Sequence, residues 1–211
     1  MTERKLTGKI ARERIRFLEM PRPPEGIIEG LRALGDASGI VGPALTVRNI
    51  MQREHVYEAA RRHVNKMAEF EAHNLARPGD VIVIDGVAGI SNMGGISAQT
   101  GKRQGEAGAV VFGGVRDVGH SRRVGYPVWA TDFTPITGKW RIETVEINGE
   151  IVVSGVRVAP GDIVLADDTG VCFIPRARAA EVLAMARQKS AAEEAKCKAI
   201  DAGFAVADLP A

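Results

Sequence analysis

Hydrophobic and polar positions along the chain follow two rhythms. From His55 to Ala76 the spacing is helical: Val56, Ala59, Ala60, Val64, Met67, Ala68, Phe70 and Leu75 share one side, with Arg61, Arg62, Lys66 and Glu69 opposite. Arg77-Pro78-Gly79-Asp80 is a turn, and the β-branched run Val81-Ile82-Val83-Ile84-Asp85 that follows predicts a buried strand. Ala109-Val110-Val111-Phe112 predicts another, ending at Gly113-Gly114, and Ala44 to Val47 and Pro127 to Ala130 read as further strands. Asn148-Gly149 separates Glu143–Ile147 from Ile151–Val153 and predicts a hairpin. Residues 94–105 are small and polar, with helix near the middle, and a polar helix starts after Pro175 and runs to about Ala202. The first forty residues are helical in flavour. Ile10, Ile15, Phe17 and Leu18 give a partial apolar face, Pro21, Pro23 and Pro24 interrupt it, and residues 25–34 restart a short helix that stops at Gly35. One signature occurs twice: Pro160-Gly161-Asp162 launches Ile163 to Asp167 as Pro78-Gly79-Asp80 launches Val81 to Asp85. A repeat this short predicts two similar sheet elements within one domain rather than a solenoid.

Composition adds exclusions. The 211 residues are 45% hydrophobic and 26% charged, which excludes a disordered or collagen-like chain. The net charge of +2 gives no general case for a nucleic-acid or membrane-surface partner. Cys172 and Cys197 stand outside any CxxC and read as free thiols of a reducing compartment. The N-terminus is charged and lacks the apolar stretch of a signal peptide, and no run approaches eighteen apolar residues, so the expected location is cytoplasmic. With 24 glycines and 5% aromatics, the expected class is a turn-rich α/β fold.

Several chemistries fail on spacing. Gly101-Lys102 resembles the end of a phosphate-binding loop, but its first glycine would fall at Ile96 and Arg103 replaces the magnesium-holding Ser or Thr. His55, His63 and His73 are eight and ten residues apart, unlike a zinc set, and read as surface or capping residues. The informative segments are Asn92-Met93-Gly94-Gly95-Ile96-Ser97 and Gly113-Gly114-Val115-Arg116-Asp117. A helix starting near Ile96 would turn its free N–H groups toward an anion. Arg116 offers a planar fork for a carboxylate, and Asp117 a hard oxygen for a divalent ion, both on a loop just past a strand. From the residues alone, a surface ion pair is the commoner explanation of such neighbours.

Gly42-Pro43-Ala44-Leu45-Thr46-Val47-Arg48, the Pro-Gly-Asp strand 78–85, the Gly94 loop, Gly113–Asp117, Gly125–Ala130 and Pro160–Val171 occur in the order found in one family. From about Gly42 to Leu183 the chain resembles the RraA-like family. That family holds class II 4-hydroxy-4-methyl-2-oxoglutarate and 4-carboxy-4-hydroxy-2-oxoadipate aldolases together with regulators of ribonuclease activity. The resemblance implies a swivelling three-layer β/β/α domain over residues 42–175, with helical arms at 1–41 and 176–211. It implies assembly as homotrimers or homohexamers with sites between subunits. It also implies a lyase that cleaves a 4-hydroxy-2-oxo acid to pyruvate, with oxaloacetate decarboxylation as a further activity. Asp117 would then hold Mg²⁺ or Mn²⁺ largely through waters, and Arg116 would contact the oxo acid and stabilise the enolate. The backbone amides of Gly94, Gly95, Ile96 and Ser97 would cradle the substrate carboxylate, and metal-held water would serve as base. The alternative implied by the family is a non-catalytic regulator that binds a partner such as a ribonuclease. That branch typically lacks the aspartate after the arginine, so Asp117 favours the enzyme.

The chain departs from the family pattern in places. The segment before Gly42 is short, with no Ser/Thr-x-x-x-Asp-Ala-Leu pattern after Gly35–Gly39. His120 stands where the aldolases often carry an acid, and the glycine loop reads Asn-Met-Gly-Gly. Glu193 and Glu194 on the C-terminal arm are candidates to reach a neighbouring subunit's metal, with a solvated helix face as the plain alternative. Lys139 and Arg141 are candidates for contact with an acidic substrate, though no motif supports them.

Overall fold

The long strand β2 (Ile40–Met51) is the spine of the molecule, seen in a computed structural model that describes residues 14–35, 38–63 and 65–209. Ile10, Asp36, Ala37 and Val64 lie outside the described residues. At Ile40–Pro43, β2 pairs antiparallel with β10 (Ile163–Asp167); at Ala44–Arg48 it pairs parallel with β3 (Val81–Asp85). Past a bulge at Arg48/Asn49 it continues antiparallel to β7 (Ile142–Ile147). From β3 the sheet runs in parallel through β5 (Gly108–Val115), which pairs with both β4 (Ser91–Met93) and β6 (Val128–Phe133). The short β1 (Arg16–Phe17) edges β7, and β11 (Gly170–Ile174) edges β10. Among the described residues these nine strands form one sheet.

Alternation along β3 explains the layers. Ile82 and Ile84 point to a core shared with Ala68 and Ala72 of the α3 region (Glu69–Leu75) and Ala98 of α4 (Gly95–Gln104). Val81 and Val83 point the other way, to Ile151, Val153 and Val158 of the small sheet β8 (Ile151–Val153)–β9 (Val156–Val158). Helices, large sheet and small sheet thus make an α/β fold of β/β/α layers. A third cluster joins α1 (Ile27–Arg32) to α6 (Ala179–Asp201) through Ile27, Leu31, Ala179 and Leu183. Beyond Leu183, α6 is mostly exposed. No helix among the described residues is long and apolar enough to cross a membrane. Cys172 and Cys197 are free and exposed.

The two Pro-Gly-Asp turns are structural twins. Gly79 and Gly161 sit at φ 88° and 84°, and each aspartate accepts the N–H three residues before it: Arg77 to Asp80 Oδ2 at 2.8 Å, Ala159 to Asp162 Oδ2 at 2.9 Å. Both strands they launch flank β2.

Several expectations fail locally. The stretch with Ile15, Phe17 and Leu18 forms no α-helix: Arg16–Phe17 is strand β1, paired with β7, and α1 is the first α-helix among the described residues. The single helix over 55–76 is two, α2 (Val56–Arg61) and α3. Between them the chain leaves the helix: His63 takes φ 52°, Ala68 donates to Thr144 Oγ1, and Thr144 donates to the Lys66 carbonyl, so the backbone follows β7 instead. Asn148-Gly149 is also not the turn of a hairpin. Asn148 is left-handed (φ 59°) and donates to the Thr46 carbonyl, while Thr46 Oγ1 donates to the Gly149 carbonyl, so the chain steps from the large sheet to the small one. The hairpin is β8–β9, turning at Ser154-Gly155, where both residues have the positive φ that a type I′ turn requires.

Candidate active site

The parallel strands β3, β4, β5 and β6 end on the same side, and there lie the Gly94–Ser97 turn and Arg116-Asp117. Open parallel sheets form their crevice outside such carboxyl ends. The close approach is built by glycines. A side chain on Gly113 would come within 2.4 Å of Asn92 Nδ2, and a Cβ on Gly95 would lie 3.1 Å from both Asp117 Cβ and the His120 ring. Asn92, fully buried, ties the loop together: its amide donates to the Val87 and Ile90 carbonyls at 2.9 Å and its oxygen accepts the Val87 N–H at 3.0 Å.

Arg116 is fixed at the backbone by donation to the Met93 carbonyl (3.1 Å). Asp117 takes a left-handed conformation (φ 57°, ψ 34°), which aspartate tolerates better than most residues, and starts α5 (Val118–Arg123). Its Oδ2 accepts the Gly95 N–H at 3.0 Å and lies 3.8 Å from Arg116 Nε. Both side chains are about half exposed, at 44% and 46%. The Arg116 Nη groups and Asp117 Oδ1 have no partner among the described residues, and neither do the N–H groups of Ile96 and Ser97. Arg116, Asp117, Val118, Phe133, Thr134 and Pro135 line a cleft of about 410 Å³.

The structure brings Gly94 and Gly95 against Arg116 and Asp117, with Ile96 exposed on the next residue; of these five, Arg116 and Asp117 line the cleft. Ser97 differs in its side chain, which is buried and pairs with His73 (Oγ···Nε2, 2.6 Å). His120 reaches Gln99 Oε1 at 3.2 Å and links α5 to α4. Lys139 lies 4.4 Å over the Trp140 ring, and Arg141 donates to the Thr137 carbonyl. Glu193 and Glu194 are exposed on α6, where Glu194 pairs with Lys198 at 2.6 Å.

A second polar cluster was missed in the sequence. His73, read as a surface or capping residue, is fully buried, with Nδ1 2.8 Å from Glu106 Oε1. Tyr126 donates to Glu106 Oε2 at 2.6 Å; burial, then the neighbouring Glu106, hold its hydroxyl well above the usual range. Glu69, placed by the helical pattern on the polar side, is buried too, and its Oε2 has no hydrogen-bond partner. Burial pushes its carboxyl up to about 7 against the pull of His73, its own backbone N–H and Arg116. The available signal was the i,i+4 pair Glu69–His73 beside the small i,i+4 pair Ala68–Ala72, which turns that face inward.

Fold and site together define an α/β protein with a carboxylate–guanidinium pair presented at the ends of parallel strands. The RraA-like pattern, described as Aldolase/RraA, matches residues 22–173, and the chain belongs to that family. It is 34% identical over 161 residues to protein DlpA of Legionella pneumophila, covering 75% of this chain and 25% of DlpA, so it spans about a quarter of that relative. It is 31% identical over 172 residues to a Halalkalibacterium halodurans protein provisionally named 4-hydroxy-4-methyl-2-oxoglutarate aldolase, covering 81% of this chain and 76% of the relative. Among solved structures it resembles Streptomyces coelicolor RraAS2, described as an unusual member of the RNase ES inhibitor RraA protein family. That likeness has a TM-score of 0.69 and 25% identity, and covers 83% of this chain and 98% of RraAS2.

Proposed function

We propose that the protein is a divalent-metal-dependent lyase that cleaves a 4-hydroxy-2-oxo acid to pyruvate, with oxaloacetate decarboxylation as a related activity. The observation that carries this reading is the state of Asp117: one carboxylate oxygen is anchored on Gly95 and the other is free, beside the half-exposed Arg116 guanidinium over an open cleft. The aldolase-named relative supports it. Among the described residues no group of three or more His, Cys, Asp or Glu side chains is placed to hold a metal ion. A hard ion such as Mg²⁺ or Mn²⁺ would therefore be held by the one carboxylate of Asp117, with waters and substrate oxygens completing its shell. When bound, such an ion acts as a Lewis acid on the 2-oxo group.

The chain's own residues do the rest. The free N–H groups of Ile96 and Ser97, at the start of a ten-residue helix, receive the substrate carboxylate. The Arg116 fork binds the oxo acid and meets negative charge as it builds on the 2-oxo oxygen. The C4 hydroxyl gives its proton to water in the cleft and its electron pair forms the new carbonyl. The C3–C4 bonding pair passes into the pyruvate enolate, which takes a proton at C3. A donor positioned for such charge contributes about 2.7–4 kcal/mol. By family resemblance the working form is a homotrimer or homohexamer.

The likeness to RraAS2 favours a second reading, a regulator that binds a ribonuclease. A coupled pyruvate assay over 4-hydroxy-2-oxo acids and oxaloacetate, with and without chelator, separates the two. Pyruvate release that requires Mg²⁺ or Mn²⁺ and is lost in Asp117→Asn is expected. No pyruvate with any metal would overturn the lyase.

A further inference from the structure

Behind the first turn of α4 lies a hydrogen-bonded chain with the order carboxylate, imidazole, hydroxyl. A carboxylate only accepts, so His73 Nδ1 donates to Glu106 (2.8 Å to Oε1, 3.0 Å to Oε2) and Tyr126 donates to the same group at 2.6 Å. The other ring nitrogen lies 2.6 Å from the Ser97 hydroxyl, a hydrogen bond whose direction follows the protonation of the ring. This is the connectivity of a nucleophilic triad, but Ser97 is 1% exposed and His73 0%, so no substrate reaches the hydroxyl. The chain serves something other than nucleophilic attack.

What it touches is the turn that holds Asp117. The N-cap of α4 is Gly94, which has no side chain to cap the helix. The first turn is instead pinned from two sides. Outside, Asp117 Oδ2 accepts the Gly95 N–H; inside, Ser97, the third helical residue, is tied to His73 on α3. The far end of the chain is equally tight, since a Cβ on Gly101 would lie 2.4 Å from Glu106 Oε2 and 2.6 Å from the Tyr126 ring.

We propose that Ser97, His73 and Glu106 are positioning residues for the reaction: their buried chain sets the first turn of α4, and through the Gly95 N–H it aims the Asp117 carboxylate at the cleft. This rests on the reading of Asp117 as the metal-holding group. Hydrogen-bond partners of a ligating carboxylate typically contribute about 10- to 100-fold in metal affinity or activity.

The test is Mn²⁺ binding to the full chain, followed by the free-ion EPR signal, alongside pyruvate kinetics and a thermal melt. Ser97→Ala removes only the link to the helix and leaves the His73–Glu106–Tyr126 bonds in place. It is expected to stay folded, weaken Mn²⁺ roughly tenfold and lower kcat with KM for the oxo acid nearly unchanged. If Ser97→Ala fails to fold, Glu106→Gln, which keeps the side chain's shape, is expected to weaken Mn²⁺ in the same direction. Wild-type Mn²⁺ affinity and kcat in a folded variant would overturn the proposal while leaving Asp117's role intact. Mn²⁺ binding that is absent from the wild type, or unaffected by Asp117→Asn, would overturn the reading of Asp117 and this proposal with it.

Discussion

Two clusters of polar side chains lie on opposite sides of α4's first turn, and the fold treats them in opposite ways. Glu106, His73, Tyr126 and Ser97 are sealed in, and among them each hydroxyl and ring nitrogen has a partner. Arg116 and Asp117 are half in water, joined by a loose 3.8 Å contact, with most of their bonding capacity unspent. Chemistry toward a ligand needs unspent capacity, and stability needs the reverse. On the proposed function, the difference separates the residues that would meet a substrate from those that hold the frame, although both sets contain a carboxylate and a nitrogen-bearing side chain.

The largest expected effect that breaks this contrast is on the buried side. Glu106→Ala strands the Tyr126 hydroxyl and the His73 N–H without an acceptor, and urea unfolding is expected to register a loss of about 3–5 kcal/mol. Asp117→Asn is expected to do the opposite, leaving unfolding within about 0.5 kcal/mol of wild type while pyruvate release falls about 100-fold or more. Glu69 sharpens the comparison through pH. Its native carboxyl titrates near 7 against an ordinary 4.5, so between those values the native state keeps a proton that the unfolded chain has released. Stability therefore falls as pH rises from about 4.5 to 7, and the penalty is complete above that window. Glu69→Gln removes it. Melts at pH 8 are expected to show stabilisation of up to about 3 kcal/mol, with little change at pH 4.5. The smallest effect is Gly101→Ala, which crowds Glu106 and Tyr126 and is expected to destabilise by about 2 kcal/mol in the same unfolding assay.

The α/β class and the strands at 81–85 and 163–167 were legible because a β-branched run launched by Pro-Gly-Asp leaves the chain few options; the strand at 109–112 was legible too, but it continues through Gly113-Gly114 to Val115 instead of ending there. Arg116-Asp117 was legible because charged residues just beyond such a run stand at a strand end. The break between α2 and α3 was not, since it depends on Thr144, which comes from β7 and is far along the chain. Asn148-Gly149 misled for a related reason: its left-handed turn is real, but its hydrogen bonds go to Thr46 rather than across a hairpin. The buried cluster escaped because polar side chains on a short helix read as solvated unless their partners, here Glu106 and Tyr126, are already in view. Of the candidate site, the sequence placed the groups that face outward; the support behind Ser97 came only from tertiary contacts.

The spine strand has a consequence for how the polypeptide is made. Its first four residues, Ile40–Pro43, wait for a neighbour that is synthesised some 120 residues later, and its last five wait for residues 142–147. A nascent chain that stops short of Ile163 offers ribosome-side quality control a bare, apolar ribbon with open peptide groups, the sort of template on which unfinished chains stick to one another. That edge of the spine therefore closes only once β10 is made, and truncations that remove β10 are expected to aggregate rather than to yield a smaller working unit.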